Sequence, residues 1–442
     1  MIIKKRLGLL LTLILIVMLS SCSPQTTPLA NTAEPSPVAQ AASTLPPGLS
    51  MRITWTDYSG RGVAIQKIIN GYNQTSSTPV AMIGGDEDIQ AIQALLDQNA
   101  PVVFVLPYRY VKYFGAKGNL MDLTAAFQSE QEYFYPQVWA LGGIKGVTYG
   151  IPWLGHAMCL LYNQTLLKQA GVDPTSITSR ETFVEALTKI EQNTNARGIG
   201  LVGAEGNDIS WMVNQFIYGF GGSLTNQDGT AVAINSNESR AAIEFYKDVL
   251  GSHAQSTWLT DNGVEVMNHF RNQEVAFEIQ GIWGVTDIQK NGDPFEVGVL
   301  SLKDIGACAE VGPMMLAIPA GMTSPLREQA MELIRYLIST KAQGQILLGE
   351  YSPEYDAYYP FRTPIRNDMQ GDNAFAAYPE YIKFVEGFDN PSIDVPVPAW
   401  QVIKDEYYGV GLHQVMSGEK SIDDFLTQIE TEGNRILSDK PL

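Results

Sequence analysis

Residues 149–163, YGIPWLGHAMCLLYN, decide how the chain is read. Both ends have the character of buried strand, with Ile151 on one side and Met158 to Leu161 on the other, yet Trp153, Gly155 and His156 interrupt the middle. A glycine inside a strand lets the backbone bend or another group approach closely, and an aromatic ring or an imidazole joins an apolar face to a hydrogen-bonding tip. Two readings compete. Either Trp153 is ordinary core and His156 a satisfied buried histidine, or the chain here faces something other than its own interior.

Outward from this stretch, strand and helix patterns alternate. Ile53 to Trp55 leads into a helix with Ile65, Ile68, Ile69 and Tyr72 on one face. Val80 to Ile83 then precedes Asp86, an expected N-cap for a helix carrying Ile89, Ile92, Leu95 and Leu96. The run Val102 to Leu106, closed by Pro107, is apolar throughout, which predicts a central strand buried on both faces of an α/β sheet. Further helices are expected from Thr178 (with Glu181 completing a capping box), Ser236, Ser324-Pro325 and Ser421 (with Asp424).

The N-terminus sets the compartment. Lys4, Lys5 and Arg6 precede an apolar run from Leu7 to Leu19, then small residues and Cys22, the pattern of a secretion signal over residues 1–21. Leu19-Ser20-Ser21-Cys22 resembles the bacterial lipobox, which implies cleavage before Cys22 and lipidation of its thiol. The apolar run is 13 residues long, short of the ~20 that span a bilayer. From Ser23 to Ser50 there are six prolines, no aromatic residue and a single charge, Glu34, so residues 22–49 read as a lipidated cysteine and flexible tether. The remaining cysteines, Cys159 and Cys308, are expected to be free thiols in a body large enough to fold without staples. Net charge is −18, and −21 once Lys4, Lys5 and Arg6 are removed, which gives no footprint for nucleic acid.

Catalytic and metal motifs are missing. The sequence has no G-x-S-x-G, H-E-x-x-H, C-x-x-C or P-loop, and His156, His253, His269 and His413 show no helical ligand pairing. Asn226-Gln227-Asp228-Gly229 reads as a hairpin turn rather than a calcium loop, and Asp86-Glu87-Asp88 suits the first turn of a helix. No enzyme activity, metal or cofactor is therefore expected.

Several segments in order, WTDYSG, VVFVLPYRYVKYFGAKGNLMDL, the opening stretch with its QTLLKQAGVDP continuation, FIYGFGGSLTNQDGTAVAINSNESRAAIEFYKDVL, VAFEIQGIWG, FEVGVLSL, PLREQAMELIRYLIST and YYPFR, resemble the family 1 extracellular solute-binding proteins. These are the receptors of bacterial ATP-binding-cassette importers, whose best-known relatives bind maltodextrins. The resemblance implies an α/β, two-lobed periplasmic-binding-protein-like fold (type II) with the ligand cleft between lobes joined by three crossings. It implies lobe 1 over residues 50–154 plus 300–338 and lobe 2 over 156–298 plus 340–442.

The same resemblance places Trp153 to His156 at the cleft mouth and gives Trp283, in QGIWG, a stacking role on the ligand. Tyr108 and Arg109 match a position of polar cleft contacts, with Tyr where maltodextrin binders have an acidic residue, which implies a different solute. Asp57, Tyr58 and Ser59 occupy a rim loop, and Trp211, Arg362 and Trp400 complete the candidate ligand contacts. The expected ligand is a sugar or oligosaccharide and the expected partners are permease subunits and, through the anchor, a membrane, with the protein a monomer. Polyamine or ferric ion (the latter for the Tyr-rich YSPEYDAYYPF), a secreted glycosidase and a surface adhesion protein remain alternatives.

Overall fold

The computed structural model describes residues 45–439 apart from 348, 370, 372–374 and 376–380. Cys22, the signal segment and most of the tether lie outside the described residues. No described helix is long and apolar enough to cross a membrane.

The first sheet begins with three parallel strands, β1 (Ser50–Arg52), β2 (Ala81–Ile83) and β3 (Val102–Pro107), with β1 between the other two. Parallel neighbours need crossovers, and these are supplied by the helices Gly60–Asn73 and Ile89–Asp97. The first buries Ile65, Ile68, Ile69 and Tyr72, and the second Ile92, Leu95 and Leu96, as their spacing predicts. A two-stranded ribbon, β4 (Gly143–Ile144) and β5 (Val147–Thr148), precedes β6 (Ile151–Leu154). Strand β12 (Met314–Ala317) inserts antiparallel between β3 and β6, giving the order β2-β1-β3-β12-β6. Every residue of β3 is buried because the strand is flanked on both edges and covered on both faces.

The second sheet holds β7 (Cys159–Asn163), β8 (Arg197–Gly200), β9 (Val275–Gln280) and β10 (Val297–Leu300) in the order β10-β7-β9-β8. The opening stretch therefore does leave one sheet at Leu154 and enter the other at Cys159. Smaller pairings are β11 (Ala309–Glu310) with β15 (Pro391–Ser392), and the hairpin of β13 (Glu350–Ser352) and β14 (Ala357–Tyr359). Cys159 and Cys308 are free and buried.

Local expectations are corrected in three places. Asp88, not Asp86, caps the helix Ile89–Asp97, accepting from the N–H of Gln90 (2.8 Å) and Ala91 (3.1 Å). The buried Arg52 claims Asp86 at 3.1 Å, which leaves the later carboxylate to the helix. The helix Arg180–Asn193 starts one residue later than expected, so its capping box pairs Ser179 with Thr182 rather than Thr178 with Glu181. Finally, residues 302–310 stay with the second sheet, where Cys308 N–H donates to Gln215 O at 2.9 Å, and the chain rejoins the first sheet only at Met314. Conversely, the helix Thr340–Ile346 and the hairpin β13–β14 pack on Gly60–Asn73 of the first lobe. The chain is back with lobe 2 at β15, which pairs with β11, and the helix Trp400–Ile403 then packs on Ile422–Asp439. The helices capped by Ser236 and Ser421 and the turn at Asn226–Gly229, where Gly229 has φ +66°, form as expected.

Candidate ligand cleft

Gly155 lies where two chain passages cross between the sheets. Its N–H donates to Thr363 O at 3.0 Å and its carbonyl accepts from Thr363 N–H at 2.9 Å. A Cβ there would stand 2.7 Å from Phe388 Cζ, so only glycine allows the approach. The next residue, His156, is held by Glu310, with Nε2 3.0 Å from a carboxylate oxygen. Since an ionised carboxylate only accepts, Nε2 carries the proton and Nδ1 is a bare acceptor. Nδ1 is buried and has no partner among the described residues. Burial lowers the His156 pKa against the opposing pull of Glu310, which favours the neutral ring.

Trp283 meets this histidine edge-on, with ring centroids 5.1 Å apart. It projects from the start of the helix Ile282–Lys290, just past β9, and its indole N–H donates to Gln280 Oε1 at 2.9 Å. Arg362 lies over the same ring at 4.9 Å and over Trp55 of the first lobe at 5.7 Å. A guanidinium between tryptophans of the two lobes is a cation–π contact on both. Trp211, from the helix Asn207–Gly219, donates its indole N–H to Asp208 at 3.4 Å. Trp211 and Trp283 line a common cavity of about 460 Å³ with Arg61, Asp208, Lys290 and Glu350. That volume falls within the ~300–1,000 Å³ usual for small-ligand sites.

Other candidates are placed elsewhere. Trp153 and Trp400 are fully buried, so both are corrected from ligand contacts to core. Trp153 sits in β6 with its carbonyl accepting from Gln343 Nε2 at 2.8 Å, and Trp400 packs edge-on to Tyr408 at 5.7 Å. Tyr108 is likewise buried, its hydroxyl accepting from Val395 N–H at 3.0 Å, and burial raises its pKa. Arg109 pairs with Glu87 within the first lobe. Asp57 and Tyr58 are exposed on the rim loop, whereas Ser59 is committed to capping the helix Gly60–Asn73, accepting from Gly62 N–H at 3.0 Å. The structure thus gathers His156, Trp283, Arg362 and Trp211, and leaves Trp153, Trp400, Tyr108 and Ser59 to the scaffold.

Sequence reasoning missed Trp55, Arg61, Lys290, Glu310 and Glu350. Burial is the largest single influence on Glu350 and pushes its pKa up, but the cations it accepts from, Arg61 on the first lobe (2.9 Å) and Lys290 on the second, together bring it below the ordinary value. A signal existed only for Trp55, an aromatic at the end of a strand beside a polar loop; the charged residues come together through tertiary contacts alone. A larger hollow of about 1010 Å³ lies between Lys112, Ile144, Tyr218, Asn226 and Val397. Its lining contains no tryptophan, and Lys112 is occupied by the carbonyls of Val395 (3.1 Å) and Pro396 (2.7 Å).

The model of the bacterial extracellular solute-binding proteins matches residues 68–381. No protein of curated function matches the chain in sequence. Among solved structures, a solute-binding protein of an ABC transporter from Thermotoga lettingae, bound with alpha-D-tagatose, is 21% identical with a TM-score of 0.72, covering 88% of this chain and 99% of that one. The cyclic alpha-maltosyl-1,6-maltose binding protein from Arthrobacter globiformis is 17% identical with a TM-score of 0.75 (89% and 100% covered). UgpB from Mycobacterium tuberculosis, in complex with glycerophosphocholine, is 18% identical with a TM-score of 0.71 (88% and 99% covered). At these identities the likeness establishes the two-lobed fold.

Proposed function

From a chain that belongs to the bacterial extracellular solute-binding proteins, and so acts outside the cytoplasm, we propose capture of a sugar or oligosaccharide in the cleft and its delivery to the permease of an ABC importer. The observation that carries this reading is a cavity lined by the aromatic faces of Trp211 and Trp283 with Arg61, Asp208, Lys290 and Glu350, beside which Arg362 links Trp283 to Trp55 of the other lobe. Flat rings take the C–H faces of a sugar with little entropy cost, while a few fixed polar groups orient its hydroxyls. Two of the solved structures named above hold tagatose or bind a maltose-derived ring, which supports the same chemistry.

In this reading the ligand leaves unaltered. Glu350 is tied to two cations, Glu310 to the His156 imidazole and Asp208 to two N–H donors, a poor starting point for acid–base work. Transport energy comes from the partner ATPase. The lobes, approximately 50–154 plus 300–338 and 156–298 plus 340–442 with the boundary shifts described above, close on a ligand that touches both, because differential affinity selects the shut state. The protein acts as a monomer tethered by lipidated Cys22, and several acyl chains are needed for a stable anchor.

Calorimetric titration of the full chain with neutral and acidic sugars tests the central reading: saturable binding with the ligand recovered intact is expected. Turnover exceeding stoichiometry, lost on changing one carboxylate, would instead make it a hydrolase. For the anchor, a fatty-acid analogue is expected to label the wild type and not Cys22→Ser; equal labelling removes it.

A further inference from the structure

Arg362 is the odd cation of the cleft. Arg61 and Lys290 share Glu350, Arg109 pairs with Glu87, Arg271 with Asp287 at 2.6 Å, and Lys404 with Asp394. Arg362 has no carboxylate partner among the described residues. Its Nη1 donates to the adjacent Phe361 carbonyl at 2.9 Å, and its Nε is buried without an acceptor. A guanidinium presents five N–H donors in a fork shaped for carboxylate or phosphate, so most of its capacity is unused.

The surroundings do not make up the deficit. The rings of Trp283, Trp55 and Phe361, at 4.9, 5.7 and 5.9 Å, attract the charge but accept none of its in-plane N–H bonds. Glu310 accepts from His156 at 3.0 Å, and Glu87 and Glu350 from the cations already named, so these carboxylates act on Arg362 through space without accepting one of its N–H bonds. Asp208 accepts from Gly263 N–H at 3.0 Å, lies in the first turn of Asn207–Gly219, and so is offset by the positive ends of two helices. Burial lowers the Arg362 pKa to about 9, with repulsion from Arg61 adding to it, yet the group stays charged at neutral pH. A half-buried charge of this kind gains from a counter-charge within hydrogen-bond reach.

Resting on the reading of the cleft as a sugar site, we infer that the ligand is a polyhydroxylated molecule bearing one anionic group, a carboxylate or a phosphodiester, and that Arg362 holds that group. The unbonded Nδ1 of His156, against the same Trp283 ring, accepts a ligand hydroxyl beside it. Because Arg362 stands between Trp55 of one lobe and Trp283 of the other, the anion is gripped where the lobes meet. A bidentate pair there is specific as well as strong.

Titration calorimetry of the full chain tests this with D-glucose and maltose as neutral probes, D-glucuronate and digalacturonate as carboxylates, and glycerophosphoglycerol as a phosphodiester. Each is run on wild type, Arg362→Gln and Arg362→Lys, with thermal unfolding to confirm folding. One anionic class is expected to bind at least about tenfold tighter than the neutral probes, and which class does so identifies the source of the charge. Arg362→Gln is expected to abolish that preference, read as the ratio of anionic to neutral affinity within each variant, and Arg362→Lys to keep part of it. Neutral probes binding as tightly as anionic ones, or a preference that survives Arg362→Gln, overturns the inference and leaves the sugar reading standing. Binding of no probe to the wild type overturns the sugar reading as well.

Discussion

Two polar clusters sit where the lobes meet, and they differ in whether their hydrogen bonds are complete. In the first, Asp394 accepts from Lys404 and from Asn214 Nδ2 at 3.0 Å, and Asn214 Oδ1 accepts from the Tyr408 hydroxyl at 2.6 Å. All four residues are buried. The segment carrying Asp394 is also held by Tyr108 from one lobe and by Tyr218, whose hydroxyl donates to Ile393 O at 3.3 Å, from the other. In the second cluster, His156 Nδ1 and Arg362 Nε lack partners and lie against Trp283, which lines an open cavity. A completed buried network specifies structure; an incomplete one beside a cavity is a place for another molecule to finish it.

The contrast breaks first on stability. Asp394→Ala strands Lys404 as an unpaired buried charge, an expected loss of about 3–5 kcal/mol, read by denaturant unfolding. Trp153→Ala opens a core cavity and is expected to cost a similar ~3–5 kcal/mol. A loss under about 1 kcal/mol in either would remove the distinction between scaffold and site. Next comes Trp283→Ala, for which a cost of about 2 kcal/mol or more in ligand binding, over tenfold in Kd, is expected with the fold retained. Unchanged affinity with a large drop in stability would return Trp283 to the core.

A smaller effect separates Ser59 from its rim neighbours. Ser59→Ala is expected to lower stability by about 1 kcal/mol through loss of the N-cap, without changing ligand affinity. Weakened binding in this variant at unchanged stability would restore Ser59 to the ligand site. The smallest expected effect concerns Glu278, buried in β9 with Oε2 unpartnered. Burial raises its pKa, helped by Asp287 and opposed by Arg271. A raised folded pKa means stability that is fully present below the ordinary value near 4.3 and lost as pH climbs through the folded value. Glu278→Gln should therefore flatten the rise in melting temperature on acidification across that window. Parallel pH profiles for variant and wild type would show that Glu278 does not titrate there.

Much of the scaffold was legible because its periodicities are local. Ile65, Ile68, Ile69 and Tyr72 form a helical stripe wherever the helix packs, and the unbroken apolar run at β3 requires two covered faces. Even the slips over Asp86 and Thr178 are one- or two-residue choices among adjacent caps, settled by which carboxylate Arg52 claimed and by where the first turn began. The cleft was legible in part. Trp283 and His156, both expected at the cleft, do lie ring against ring, but Trp153, three residues from His156, turned inward, and nothing in one dimension distinguishes the two directions.

From the sequence alone came the expectation of an exported, tethered chain, its alternating α/β pattern and the crossing at residues 154–159, since charge, apolar periodicity and glycine each act over a few neighbouring residues. Only the tertiary structure decided which polar groups are satisfied. Glu310 reaches His156 from 154 positions away, and Glu350 reaches Arg61 across 289. Arg362 is left without a carboxylate hydrogen bond among the described residues because those pairings take the nearby acceptors. Whether a charged side chain is scaffold or site depends on what else has been brought within hydrogen-bond distance of it, and that is a property of the folded chain, not of any segment of it.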